Sequence, residues 1–265
     1  MITVSPLPAF TDNYLWLLQR EGCAALVDPG DGEVALAALR ARGARLTAIL
    51  ITHWHPDHIG GLPRLCMEYA GPIYGPRAEA ARIPKLTNAL EDGDRVRLDE
   101  LGIEFEVLAV PGHTLGHIAY YSSRERLLFC GDTLFAAGCG RLFEGTPQQM
   151  HASLTRLAAL PDDTAVYCAH EYTLANLAFA RAVEPSNAAI AAEIARVRGL
   201  RAAGRPSLPS TMERERRLNP FLRCAEPAVA AAAATHEGES AARSDPVQAF
   251  AALRRWKDVY RPAMT

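Results

Sequence analysis

Leu46-Thr47-Ala48-Ile49-Leu50-Ile51, followed at once by Thr52-His53-Trp54-His55-Pro56-Asp57-His58, decides how this chain is read. The first six residues form an apolar run of strand length, the pattern of a buried strand. The next seven place three imidazoles and a carboxylate at its tip. Neutral imidazole and carboxylate suit Zn²⁺ and similar divalent ions. In a loop leaving a strand, His53 and His55 can converge on one ion, while Asp57 and His58 come round on the turn toward a neighbouring position. The chain has only 8 His in 265 residues, so a chance cluster of three beside an Asp is a poor explanation.

The same arrangement recurs downstream. Pro111-Gly112-His113-Thr114 follows the apolar run 103–110, Gly131-Asp132-Thr133 follows 127–130, and Ala169-His170-Glu171 follows 165–168. Taken alone, His113 and His170 read as buried histidines and Asp132 as a turn residue. Their repeated placement at strand tips, where side chains of neighbouring strands share one cleft, points to a metal site. Seven ligands exceed one tetrahedral ion and suffice for two. His53, His55 and His113 can hold the first, Asp57, His58 and His170 the second, and Asp132 can bridge. Such a pair of ions makes hydroxide available from water at neutral pH, so no Ser or Cys nucleophile is needed, and no G-x-S-x-G elbow is present. Asp57 is expected to orient the attacking water as well as to bind the second ion. His117 reads as a core residue or a neighbour of the site, His151 and His236 as surface residues, and Asp28 either as a turn residue or as a partner orienting a ligand histidine.

Working outward, residues 1–170 alternate short apolar runs with turn signals. Strands are expected at 14–18, 24–27, 46–51, 73–74, 95–98, 103–110, 117–121, 127–130 and 165–168. Helices are expected at 33–42, 60–70 and 148–160. Strands and helices interleave without a regular βαβ beat, which suggests a mixed sheet system with helices outside it. No G-x-G-x-x-G follows the first strand. After about residue 171 strand-like runs vanish. Residues 174–201 read as long helix and 206–211 as a break. Residues 225–235 are Ala-rich and 240–245 polar. Ser244-Asp245-Pro246 is a helix start, with Val247, Phe250, Leu253 and Trp256 at helical spacing. A boundary near 171 divides the chain into a mixed α/β domain, 1–170, and a smaller helical domain, 171–265.

Charge sharpens that division. The formal net charge of −2 gives no reason to expect nucleic acid. Residues 1–170 carry 14 basic and 20 acidic residues and 171–265 carry 14 basic and 10 acidic, so the tail is the part suited to an anionic small molecule. Met1-Ile2-Thr3-Val4-Ser5-Pro6 has no basic n-region and no apolar h-region, and no apolar run approaches the ~20 residues of a membrane span. A cytoplasmic protein with reduced thiols, no membrane association and no obligate protein partner is expected. Its six cysteines form no C-x-x-C pair, and Cys130 and Cys168 read as core.

Thr52-His53-Trp54-His55-Pro56-Asp57-His58, with His113, Asp132 and His170 in order behind it, resembles the signature of the metallo-β-lactamase superfamily. Within it, the chain resembles the hydroxyacylglutathione hydrolase family (glyoxalase II) at Thr11-Asp12-Asn13-Tyr14, Gly112 to His117, Gly131 to Phe135, Gly138 to Arg141, His170-Glu171-Tyr172 and Asn219-Pro220-Phe221-Leu222-Arg223. The resemblance covers nearly the whole chain. It implies an αββα sandwich with a helical C-terminal domain and two metal ions, Zn²⁺ first and Fe or Mn as alternatives. It also implies hydrolysis of S-D-lactoylglutathione to glutathione and D-lactate, with Arg141, Tyr172, Arg254 and Lys257 as glutathione contacts. Phe143 stands where relatives often have a Tyr hydroxyl, so one substrate hydrogen bond is in question. Three other readings compete. An exported β-lactamase is disfavoured by the absent signal peptide, by Asp132 where many carry Cys, and by the helical tail. A nuclease is disfavoured by the acidic 1–170. A mononuclear iron persulfide dioxygenase is disfavoured by the full seven-ligand set.

Overall fold

A computed structural model describes residues 1–238 and 245–261. Six strands form the first sheet in sequence order: β1 (Thr3–Ala9), β2 (Asn13–Arg20), β3 (Cys23–Val27), β4 (Arg45–Leu50), β5 (Ile73–Pro76) and β6 (Asn88–Leu90). The next four, β7 (Arg95–Leu98), β8 (Ile103–Ala109), β9 (Ile118–Ser122) and β10 (Leu127–Gly131), begin the second sheet. After a hairpin of β11 (Leu134–Phe135) and β12 (Gly138–Cys139), β13 (Ala165–Cys168) and β14 (Ser210–Thr211) complete it, in the order β14-β13-β10-β9-β8-β7.

Period-two patterning explains the layers. Along β2, Tyr14, Trp16 and Leu18 enter the core shared with the second sheet, where Phe105, Tyr120 and Phe129 lie. Leu15 and Leu17 face the opposite way, into a cluster with Ala35, Leu36 and Leu39 of α1 (Gly32–Ala41). Short helices α2 (Pro56–Ile59) and α3 (Leu62–Leu65) follow β4. On the far side α4 (Pro147–Ala158) packs with the tail. That tail comprises α5 (Thr173–Val183), α6 (Ala188–Ala202), α7 (Met212–Leu218), α8 (Pro227–His236) and α9 (Pro246–Val259). Helices therefore cover both outer faces of the two sheets, the expected αββα order. Phe221, Val229, Phe250 and Leu253 of the tail belong to the same contiguous core as the two sheets.

Several expectations need correction. Residues 60–70 form only the short α3, because Gly60 and Gly61 pack tightly: a Cβ on Gly61 would sit 2.2 Å from the Pro29 carbonyl oxygen. The long helix 174–201 is two, α5 and α6, divided at Pro185, which has no N–H to give and clashes with the preceding turn. Asn187 restarts the helix by accepting from the Ala189 N–H at 3.1 Å. Strands do not vanish after 171, since Ser210 and Thr211 pair with Val166 and Ala165, too short a run to show a period. β1 was not expected either. Pro6 and Pro8 read as breakers but are tolerated at a sheet edge. Of the Ser244-Asp245-Pro246 signal, Ser244 lies outside the described residues, as do residues 240–243, while the Asp245 carboxylate accepts from the Val247 N–H at 2.9 Å. His236 ends α8 and stacks on Trp256 with ring centroids 4.2 Å apart. His151 is half-buried against Phe250 rather than on the surface. All six cysteines are free thiols.

Candidate metal centre

The seven candidate ligands meet at one edge of the sandwich. The loop leaving β4 supplies His53 and His55, and α2 supplies Asp57 and His58. His113, Asp132 and His170 follow β8, β10 and β13. The two sheets are tied at this edge by Tyr14 N–H donating to the Ala169 carbonyl at 2.7 Å and Glu171 N–H to the Asp12 carbonyl at 2.8 Å. Deeper in, the Trp16 indole donates to the Cys168 carbonyl at 3.0 Å.

Two clusters result. His55 Nδ1 lies 3.1 Å from His53 Nε2 and 2.9 Å from His113 Nε2. His170 Nε2 and His58 Nε2 lie 3.4 and 3.5 Å from Asp57 Oδ2. Asp132 belongs to both clusters. Its Oδ2 is 3.4 Å from His113 Nε2, and its Oδ1 is 3.4 Å from both His58 Nε2 and His170 Nε2. A tetrahedral ion with bonds of ~2.0–2.1 Å separates its ligand atoms by about 3.3 Å, and the observed spacings match such polyhedron edges.

Hydrogen bonds behind the ligands aim the lone pairs inward. The Thr52 hydroxyl donates to Asp28 Oδ2 at 2.7 Å, so it can only accept from His53 Nδ1, 3.1 Å away, which leaves His53 Nε2 unprotonated. His113 Nδ1 donates to the Arg141 carbonyl at 2.9 Å and His170 Nδ1 to Asp12 Oδ1 at 2.7 Å. His58 Nδ1 lies 3.0 Å from Asp28 Oδ2, a charge contact without hydrogen-bond geometry. Three nitrogens thus converge around His55 with at most one proton between them, and His58 Nε2 and Asp132 Oδ1 are buried without a hydrogen-bond partner. A pair of cations fits this donor set; a hydrogen-bonded network does not.

Burial holds His53 and His55 below the usual imidazole range, reinforced by neighbouring histidines, and burial does the same to His113 and His117. Burial also opposes charge on His58 and His170, but Asp132 with Asp28 or Asp57 outweighs it, raising His58 well above and His170 to about 10. In metal-stripped protein, filling the Asp57–His58–His170 cluster must therefore displace protons at neutral pH, whereas filling the His53–His55–His113 cluster does not. Apparent affinity for the more pH-dependent ion should climb by up to about tenfold per proton per pH unit from pH 6 to 8, with the other nearly flat. Chelator-competition titrations at several pH values check this, and equal slopes for both ions would count against the partition.

The structure resolves what the sequence left open. Asp28 both buttresses Thr52 and faces His58. His117 is fully buried, accepts from the Asp132 N–H at 3.1 Å and stacks on His53. Four supporting residues were not singled out from sequence. Asp12 backs His170, and Asn13 donates to Asp57 Oδ2 at 2.9 Å. Glu79, 4% exposed, accepts from the Trp54 N–H at 2.8 Å and the Gly116 N–H at 3.1 Å, pinning together the loops that carry His55 and His113. Glu144 accepts from the Trp54 indole, the Leu115 N–H and Arg82. The first two lay within Thr11-Asp12-Asn13-Tyr14; Glu79 and Glu144 carry no local signal.

A cavity of about 450 Å³ opens onto His113 and Asp132. Arg141, Phe143, Tyr172, Arg254 and Lys257 all line it. Phe143 packs edge-on against His55 and His113, and Tyr172 stacks flat on His170 at 4.7 Å. Lys257 donates to the Ala175 carbonyl, with its pKa lowered to about 8 by burial and then by Arg254. Arg141 is largely exposed, 3.9 Å from Asp258. Arg254 is 5% exposed and donates to the Cys139 carbonyl at 3.0 Å and to Asp258 at 3.0 Å.

Comparisons with known proteins agree with this geometry. The description "Metallo-beta-lactamase superfamily" matches residues 10–170 and "Hydroxyacylglutathione hydrolase C-terminus" matches 171–260. Hydroxyacylglutathione hydrolase of Pseudomonas entomophila is 56% identical over 98% of this chain and all of that protein. Those of Ectopseudomonas mendocina and Cupriavidus taiwanensis are 55% and 53% identical, over 97% and 98% of this chain and 99% and 100% of theirs. Among solved structures, ETHE1 from Myxococcus xanthus superposes with a TM-score of 0.66 at 25% identity, covering 99% of this chain and 93% of its own. TTHA1623, solved in a di-iron-bound form, gives 0.60 at 28% over 83% and 100%. The chain belongs to the hydroxyacylglutathione hydrolase family of the metallo-β-lactamase superfamily.

Proposed function

We propose that this chain hydrolyses the thioester of S-D-lactoylglutathione, or another S-2-hydroxyacylglutathione, to glutathione and the 2-hydroxy acid, the second step of methylglyoxal detoxification. One observation carries the reading: a cavity lined by Arg141, Arg254 and Lys257 opens onto His113 of the first cluster and onto Asp132, which faces both. Glutathione has two free carboxylates, and cations at a cavity wall recognise such an anion. The assignment keeps His53, His55 and His113 on one ion, Asp57, His58 and His170 on the other, and Asp132 between them. Zn²⁺ suits these donors best, with Fe and Mn compatible. When bound, the ions supply hydroxide at neutral pH and Lewis-acid stabilisation of a developing oxyanion.

The chain's own residues do the rest. Asp57, fixed by Asn13, orients the attacking water on the second cluster. Tyr172 and Phe143 form the walls on either side of the ligand histidines. Arg141 and Lys257 hold the glutathione carboxylates, and Arg254 lines the same wall. Thiolate is a good leaving group, so no strong general acid is required. In this reading 1–170 supplies the chemistry and, with Arg141 and Phe143, part of the substrate seat, and 171–265 supplies the rest of that seat. The setting is cytoplasmic, without nucleic acid, membrane or obligate protein partner. Among the described residues no helix is long and apolar enough to cross a membrane.

Turnover of S-D-lactoylglutathione, followed by loss of thioester absorbance on protein of known metal content, tests the reading. Rapid hydrolysis abolished by chelation is expected; none on fully metallated protein would remove glutathione as the substrate. A charged hydrogen bond is worth about 1.5–3 kcal/mol. Lys257→Ala and Arg141→Ala should therefore each raise KM by roughly 10- to 100-fold while leaving kcat within about threefold. An unchanged KM in both would place the glutathione seat elsewhere.

A further inference from the structure

The tail touches more than substrate. The hairpin β11–β12 runs between two features of the metal centre. Asp132, which faces both clusters, lies just before it, and the Arg141 carbonyl, which accepts from His113 Nδ1, lies just after it. At its end, Gly140 is pressed so closely on Asp132 that a Cβ there would sit 1.9 Å from the Asp132 carbonyl oxygen. Any shift of the hairpin is therefore passed to both ligands.

Tail side chains hold that hairpin at five successive residues. Asn219 donates to the Phe135 carbonyl at 3.2 Å and the Gly138 carbonyl at 2.8 Å. Asn176 donates to the Ala136 carbonyl at 3.1 Å. Glu215 accepts from the Ala137 N–H at 2.7 Å, and Arg254 donates to the Cys139 carbonyl at 3.0 Å. All four side chains are buried. Glu215 is further tied to Ser210 and to Asn219 Nδ2, so α7 and the segment after it present one rigid acceptor–donor unit. Ala137 sits at φ +55, a conformation a non-glycine residue keeps only when its surroundings impose it.

We infer that Glu215 and Asn219 are positioning residues for the metal pair: through the Phe135–Cys139 backbone, the helical tail sets where Asp132 and His113 stand. This gives Asn219-Pro220-Phe221-Leu222-Arg223 a task that substrate binding leaves unexplained. It rests on the proposed two-ion assignment, but not on the identity of the substrate.

The test uses the full chain loaded with two Mn²⁺ ions, whose spin–spin coupling reports the bridging carboxylate without any substrate. Glu215→Leu keeps most of the side-chain volume but removes the acceptor of the Ala137 N–H and the Asn219 amide, and Asn219→Ala removes two donors. Each is expected to alter the Mn–Mn coupling, to speed amide exchange across residues 134–141, and to lower kcat about 10- to 100-fold, the usual scale for a partner behind a metal ligand, with KM within threefold. A tail that merely stabilises the fold would lower Tm and leave the coupling and kcat intact at a permissive temperature; that result would overturn the inference. If neither variant folds, Asn176→Ala, which releases only the Ala136 carbonyl, is read for the same coupling and exchange, with the same two outcomes. If the coupling changes while wild-type protein ignores glutathione thioesters, the substrate reading fails and this one stands.

Discussion

Asp132→Ala should reduce turnover by on the order of 10³-fold or more and lower the metal content from two ions toward one. Removing a residue behind a metal ligand costs about 10- to 100-fold, and Asp132 stands in front of that layer, with one oxygen toward each cluster. The loss has two sources. The first cluster keeps three imidazoles, enough to retain an ion, but loses the carboxylate that fixes its neighbour. The second loses one of its two carboxylates and keeps Asp57 beside His58 and His170. In metal-stripped protein the variant should show both pKa values moving down, because Asp132 is the leading favourable influence on each. Metal analysis beside steady-state kinetics checks the prediction. A variant with two ions and wild-type turnover would remove Asp132 from the bridge.

Most of this candidate centre was legible because its candidate ligands are local events at strand ends. His53, His55, Asp57 and His58 span six residues just after a buried strand, and His113, Asp132 and His170 each follow another, so a chemical pattern and a structural one coincide. The supporting residues lack that coincidence. Glu79 lies in Arg77–Arg82, a short 3₁₀ turn with arginines at both ends, and its type and neighbours suggest solvent. Only the fold brings the Trp54 and Gly116 N–H groups to it. Burial, the main influence, raises its pKa, and those donors oppose the rise. Glu215 is the same case within Met212-Glu213-Arg214-Glu215-Arg216-Arg217, which reads as a solvated helix. It is 1% exposed, its pKa raised to about 7 by burial against the donors that hold it. Arg254 was expected as a glutathione contact and lines the cavity, but spacing on a helix cannot say whether a guanidinium faces ligand or backbone. Local pattern finds residues that act where they stand; residues that act through long-range contacts appear only with the fold.

Gly30→Ala, a one-carbon change in a turn, should be nearly as damaging as loss of a ligand. Gly30 does not adopt a positive φ, so the requirement is spatial: a Cβ there would lie 1.7 Å from the Asp57 carbonyl oxygen and 2.4 Å from its carbon. Neither side can easily give way. Asp28 is anchored through Thr52, with its carboxylate accepting from the Thr52 N–H at 2.8 Å, and the Pro29 carbonyl accepts from the Gly61 N–H at 3.1 Å. Relief requires α2 to move by more than an ångström, carrying Asp57 and His58 with it. A misplacement of that size can cost about 100-fold in rate, and overpacking costs roughly 1–3 kcal/mol, or a Tm lower by about 2–12 °C for a chain of this size. The matching control is Gly199→Ala in α6, where a Cβ meets nothing within 4 Å and the change should stabilise by about 0.5–1 kcal/mol with turnover unaltered. Kinetics, metal content and thermal melts on the two variants separate the cases. If Gly30→Ala retained full activity and both ions, the turn before α1 would not be the stop that positions Asp57, and the rigidity attributed to this edge of the sandwich would have to come from the metal ions themselves.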